Sequence, residues 1–231
     1  MNKQWPKLMR KPLGNRVVVL APHMDDEIIG CGGVLCKHIA NGDRVCVIYM
    51  SDGGKGDLKD SYCDTYAQLR KQESIKTNKL LGIDDVHYLG LEDGTLQDWR
   101  GAKDKLKSIL DKVSPDLVYL PVYNDLHPDH RKTNYLFKSA VNKEVNCNVC
   151  VYEVWTPVNP NVLVNITQQI EQKIKAIKLC ESQLSKINYD NIILGLNSYR
   201  ACLIPFPGMK YAEAFWMIDC QEYLQLFSVI K

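Results

Sequence analysis

The stretch Arg16-Val-Val-Val-Leu-Ala-Pro-His-Met-Asp-Asp-Glu27 decides the architecture of this chain. Its first half, Arg16 to Ala21, is a short β-branched run of the kind that forms a strand buried on both faces, as in a parallel sheet. Its second half packs a histidine and three acids into five residues. Working outward, a helix is expected over 28–40, closed by Asn41-Gly42, and a second strand over 45–50. The loop Asp52-Gly-Gly-Lys-Gly56 leads to a long helix over 61–81 that stops at Gly82. A third strand over 86–89, a helix over 97–112, a fourth strand over 117–121, a helix from 129 to 141 and a fifth strand over 150–155 continue the alternation. After a proline-rich turn at 156–160, Ile170, Ile174, Ile177, Leu184 and Ile187 recur at helical spacing and predict one helix over 167–187. A helix over 191–200 and a last strand over 212–218 complete the order. This order predicts an α/β fold with a mostly parallel sheet, which binds ligands beyond the carboxyl ends of its strands.

The composition is that of an ordinary globular protein. The chain has 231 residues, 45% of them apolar and 24% charged, enough for one α/β domain with a sizeable core. A net charge of +2 argues against a nucleic-acid binder with a broad basic surface. No apolar run approaches a membrane span, and the basic segment Met1 to Arg16 lacks the apolar centre of a signal peptide, so a cytoplasmic protein is expected. The nine cysteines then read as reduced. Cys147 and Cys150 form a lone C-x-x-C in a strand-like stretch, where residues three apart point to opposite faces, so both read as packing residues.

The loop after the first of these strands has the chemistry of a metal site. Imidazole and carboxylate are suitable zinc ligands, and adjacent acids repel one another unless a cation relieves them. His23 and Asp26, three apart in a tight turn, can reach one ion, and Asp25 then stands beside it as a proton acceptor. Helix capping accounts for one of the acids, but not for the whole set. A dinucleotide site is excluded by spacing: Gly30, Gly32 and Gly33 follow a strand, but Leu35 stands where the third glycine belongs. Those glycines read instead as sites of close helix–sheet packing.

The complementary half follows the fourth strand, as Tyr123-Asn-Asp-Leu-His-Pro-Asp-His130. One of His127 and His130 can complete a three-ligand site with an open position, the pattern of catalytic zinc. The other stays free, with Asp129 placed to hold its ring and favour the imidazolium form. His38 and His87 read as ordinary cap or surface residues.

Together these two motifs resemble the PIG-L/LmbE-like deacetylase family, with its P-H-x-D-D-E and H-x-D-H signatures. Ser51-Asp-Gly-Gly54, Arg70-Lys-Gln-Glu73, Leu91-Glu-Asp-Gly94, Ser182-Gln-Leu184 and Ala212-Glu-Ala-Phe215 extend the resemblance along most of the chain. The resemblance implies one domain over 1–231 with a Rossmann-like three-layer fold and a mononuclear site for Zn2+, other divalent ions being alternatives. On the matching positions, His23, Asp26 and His130 would be the metal ligands and Asp25 the general base. His127, paired with Asp129, would stabilise the oxyanion or act as acid, and Arg70 and Asp93 would contact the sugar. Met24 departs from the family's common proline, and Cys180 stands where many members carry a histidine. The implied reaction is hydrolysis of the N-acetyl group of an N-acetylglucosamine-type conjugate. A metal-dependent phosphoesterase and a non-catalytic, metal-stabilised sugar-binding module are the rival readings. By analogy with the family, a homo-oligomer, trimer or hexamer, is expected. The loops 52–60, 93–98, 156–160 and 203–210 are candidate substrate selectors, and Tyr62, Trp99, Trp155 and Phe206 are candidate stacking residues.

Overall fold

A computed structural model of the chain describes residues 5–56, 62–94, 99–142 and 145–229. The elements run β1 (Lys7–Met9), β2 (Arg16–Ala21), α1 (Asp26–Ala40), β3 (Arg44–Ser51), α2 (Asp64–Leu81), β4 (Asp85–Leu91), α3 (Trp99–Val113) and β5 (Leu117–Pro121). They continue as α4 (Pro128–Ala140), β6 (Asn148–Tyr152), β7 (Val162–Asn165), α5 (Ile170–Ile177), α6 (Glu181–Leu184), α7 (Tyr189–Ala201), β8 (Ala212–Asp219) and α8 (Cys220–Val229). The strands form one sheet in the order β1-β7-β8-β6-β5-β2-β3-β4. β4, β3, β2, β5 and β6 are mutually parallel, and β8 runs antiparallel to both β6 and β7. The expected three-layer α/β fold is therefore present.

The central strands are apolar on both faces because helices cover both. Val17, Val19 and Ala21 of β2 belong to the core shared with α1, α5 and α7. Val18 and Leu20 belong to the opposite core, with α3, α4 and α8. Cys147 and Cys150 divide in the same way, Cys147 with the second core and Cys150 with the first.

β2 is the topological switch point. Its neighbours are β3, which follows it in sequence, and β5, which arrives two strands later. The carboxyl ends of β2 and β5 thus open a crevice into which both α1 and α4 point their N-termini.

The glycines of α1 explain how it lies so close to the sheet. A Cβ on Gly30 would stand 2.2 Å from Cδ2 of Tyr152, and one on Gly33 2.7 Å from Ile166. Tyr152 cannot give way freely, since its hydroxyl donates to the Leu20 carbonyl at 2.9 Å. Gly30→Ala is therefore expected to destabilise the fold by roughly 1–3 kcal/mol through overpacking, read as a lowered urea midpoint; an unchanged midpoint would contradict this packing.

Several expectations need correction. The helix expected over 167–187 is two helices, α5 and α6. It breaks at Cys180, where Glu73 of α2 accepts hydrogen bonds from the Ser182 amide (2.9 Å) and hydroxyl (2.6 Å), drawing that amide out of a continuous helical ladder. The α2 helix starts at Asp64 and not at 61, and the strand placed over 150–155 occupies Asn148–Tyr152. β1, β7 and α8 lay outside the sequence reading. His38 is neither a cap nor a surface residue. It is fully buried, with Nδ1 2.8 Å from Asp43 Oδ2 and Nε2 3.0 Å from the Tyr119 hydroxyl.

Candidate active site

The loops leaving β2 and β5 meet around a cluster of three imidazoles. Ring centroids are 4.6 Å apart for His23 and His127, 5.1 Å for His127 and His130, and 5.5 Å for His23 and His130. Asp26, the first residue of α1, lies between two of them. Its Oδ2 is 3.1 Å from His23 Nδ1 and 3.2 Å from His130 Nε2, and it also accepts the His23 amide at 2.8 Å. One carboxylate oxygen thus serves two imidazoles whose segments lie about a hundred residues apart.

The cluster is short of positive charge. Asp25, Asp26, Asp93, Asp125 and Asp129 are all buried, and the buried cation among them is Arg70, whose Nη2 is 3.2 Å from Asp25 Oδ1. Protons on the histidines make up the balance. Burial works against a charged His23, but Asp129, Asp26 and Asp93 hold its imidazole well above the usual range. His130 is likewise held up at about 9 by Asp26 and Asp125 despite its burial. Burial also opposes ionisation of Asp26, yet His130 and His23 keep its carboxyl well below the usual range. Neither ring nitrogen of the fully buried His130 has a directed hydrogen-bond partner. Nitrogen and oxygen donors converging where positive charge is demanded fit a divalent cation.

Among the described residues, His23, His127 and His130 form one grouping able to hold a metal ion, and His23, Asp93 and Asp129 form another. Both use His23. Asp125 stands behind His130. Its Oδ1 is 3.5 Å from His130 Nδ1 and accepts the His127 amide at 2.9 Å, while Oδ2 accepts the Trp155 (3.3 Å) and Thr156 (3.1 Å) amides. Carboxylates in this position orient metal-ligating histidines. Sequence reasoning passed over Asp125, although it lies two residues before His127.

The expected pairing of Asp129 with the His127 ring is not what the structure contains. The Asp129 amide donates to His127 Nδ1 at 3.2 Å, making His127 the cap of α4. The Asp129 carboxylate turns elsewhere: Oδ2 accepts the Gly94 amide at 2.7 Å and lies 3.5 Å from His23 Nε2. Burial and the positive charges of His23 and His130 push His127 down to about 4, so its ring is neutral near pH 7 and not the expected imidazolium. An amide donating to Nδ1 leaves the proton on Nε2.

Asp25 is buried next to this cluster. Burial, opposed by Arg70 and reinforced by Asp26, raises its carboxyl above the usual range. Asp93 is held down at about 2, against the effect of burial, by His23 and Arg70. Its Oδ1 is 3.2 Å from His23 Nε2, and its Oδ2 accepts the Lys55 amide at 3.1 Å.

These groups border a cavity of about 350 Å³, within the ~300–1,000 Å³ of small-molecule sites. His23, Asp25, Asp26, Arg70, Asp93 and His127 line it together with Lys55, Gly56, Gly94, Trp155, Gln183, Ile187 and Tyr189. The 183–189 wall escaped the sequence reading, because it exists only where the helix over 167–187 breaks. Of the candidate selectors, Lys55, Gly56, Asp93 and Gly94 reach the cavity. Residues from 156–160 and 203–210 line separate depressions. Of the aromatic candidates, Trp155 borders the cavity, Phe206 lines another depression, and the exposed Tyr62 donates to Asp52 Oδ2 at 3.0 Å. The side chain of Trp99 and residues 57–61 and 95–98 lie outside the described residues.

Residues 18–141 match the profile of PIG-L, GlcNAc-PI de-N-acetylase, and the chain belongs to that family. It is 26% identical over 216 residues, 86% of this chain and 81% of the relative, to the diacetylchitobiose deacetylase of Thermococcus kodakarensis. It is 34% identical over 122 residues, 49% of this chain and 55% of the relative, to a probable N-acetyl-alpha-D-glucosaminyl L-malate deacetylase 2 of Bacillus subtilis. Among solved structures, the N,N'-diacetylchitobiose deacetylase of Pyrococcus horikoshii superposes with a TM-score of 0.77 at 27% identity, covering 89% of this chain and 84% of that one. No helix among the described residues is long and apolar enough to cross a membrane.

Proposed function

We propose that this chain, as one domain, removes the acetyl group from an N-acetylglucosamine-type conjugate, with a zinc ion held by His23, Asp26 and His130. The observation that carries the reading is the Asp26 oxygen shared by the His23 and His130 rings, beside a separate buried carboxylate at Asp25. When bound, zinc supplies Lewis acidity toward the acetyl carbonyl and lowers the pKa of water. Asp25, its carboxyl raised by burial and steadied by Arg70, takes a proton from the attacking water. His127 donates its Nε2–H to the developing oxyanion. As the carbon–nitrogen bond breaks, Asp25 returns the proton to the amine nitrogen, and acetate and the free amino sugar leave. Asp129 orients His23 and the Gly94 turn, and Arg70 and Asp93 contact the sugar from the cavity wall. We read the setting as cytoplasmic, where the nine cysteines would be kept reduced.

The test is a panel of N-acetylglucosamine, N,N'-diacetylchitobiose and N-acetylglucosamine linked to malate or inositol, incubated with zinc or with a chelator. Free amine and acetate should appear in equal amounts, and only with the metal. Phosphate release from sugar phosphates without amine release would favour the phosphoesterase. Sugar binding without turnover would favour a binding module.

A further inference from the structure

The opposite end of the same strands carries a second set of metal-type donors that the deacetylation chemistry does not use. We propose that Cys46, Asp85 and His87 bind a second divalent cation of the zinc type, clipping the edge strand β4 to β3.

Cys46 of β3 pairs in register with Asp85 of β4, and Ile48 pairs with His87. Cys46 and Asp85 therefore share a face, and His87, two residues on, shares it too. The Cys46 sulfur, a carboxylate oxygen of Asp85 and a ring nitrogen of His87 all lie within 4.8 Å of one another. Zinc bonds of ~2.0–2.3 Å place the donors of a tetrahedral site roughly 3.3–3.8 Å apart, so no pair needs to close by more than about 1.5 Å. The carboxylate is already divided for this role. Oδ2 is 3.1 Å from Arg44 Nη2, which orients it, and Oδ1 faces His87 Nε2 at 3.0 Å.

Cys46 is fully buried, whereas Asp85 and His87 are half-buried, which leaves an entry path and a place for a water ligand. β4 is the last strand of the sheet. Cys46 lies five residue steps along β3 from Ser51 at the catalytic end, roughly 16 Å of strand, so the two sites share no ligand. In the ion-free protein, burial and the Asp85 carboxylate hold the Cys46 thiol up at about 12. A cation reverses that relation, because it is attracted by both the carboxylate and the thiolate. Binding releases the thiol proton to solvent.

Cobalt(II) titration of the chelator-stripped full chain tests the proposal. The catalytic donors are nitrogen and oxygen alone, so a thiolate-to-cobalt charge-transfer band in the near ultraviolet reports the second site by itself. The expected result is such a band, saturating with one cobalt ion beyond those bound at the catalytic cluster. It should vanish in Cys46→Ser. In the half-buried variant His87→Ala, whose deacetylation is unchanged, cobalt affinity at this site should fall by at least the ~10–100-fold that even outer-shell partners are worth. No thiolate band in the wild type, a band that survives Cys46→Ser, or an affinity unchanged in His87→Ala would each overturn the assignment.

Discussion

Replacing Asp25 with asparagine is expected to lower kcat by roughly 10²–10⁴-fold and to leave zinc binding by the protein unchanged. The two halves of this expectation come from different atoms. Asp25 is buried and lines the cavity, and its nearest charged partner is Arg70 at 3.2 Å. The proposed metal donors are His23, Asp26 and His130, whose mutual contacts run through Asp26 and not through Asp25. Asparagine keeps the size of the side chain and can still accept a hydrogen bond from Arg70. It cannot take a proton from water. Parallel metal analysis and steady-state kinetics check both halves. Turnover at the parent rate would remove Asp25 from the mechanism, and loss of zinc would make it a ligand.

The second large effect lies behind the site. Lys173 of α5 and Glu213 of β8 are both fully buried, with Nζ 2.7 Å from Oε1. Lys173 also donates to the Ile29 carbonyl at 2.8 Å and to Asn197 Oδ1 at 3.0 Å. Glu213 accepts the amides of Gly33 and Val34, each at 2.7 Å. The pair therefore enters the middle of α1 from the side, in the helix whose first turn carries Asp26. Lys173→Met removes the Nζ hydrogen bonds to Ile29, Asn197 and Glu213 and leaves a buried carboxylate without its cation. Breaking a buried pair in this way costs about 3–5 kcal/mol, a large share of the ~5–15 kcal/mol that holds a domain together. Urea denaturation should show that loss. Lys173→Met with Glu213→Gln should recover part of it, because the uncompensated charge is gone. A single-variant loss below about 1 kcal/mol would mean that the pair is not structural.

How much of this was readable from the residues depends on where the determinants lie. The central strands were readable because Val17 to Ala21 and Leu117 to Pro121 are apolar without alternation, which requires helices on both faces. The cluster was readable because its donors crowd into two short loops at strand ends. What depended on remote partners was not. The break at Cys180 is made by Glu73, more than a hundred residues earlier. The direction of the Asp129 carboxylate is set by the Gly94 amide on another loop. Lys173 sits in a stretch whose isoleucines mark a helix, and nothing local says that this lysine points inward with them. β1 and β7, three and four residues long, are too short to carry a periodic signal.

The most direct measurement is the yield of acetate and primary amine from an N-acetylglucosamine conjugate, with chelator-treated protein and with the same protein supplied with zinc. The account predicts no turnover from the chelator-treated protein, and acetate and amine in equal amounts once zinc is supplied. Equal turnover in both samples would contradict it, since His23, Asp26 and His130 would then hold nothing that the reaction needs.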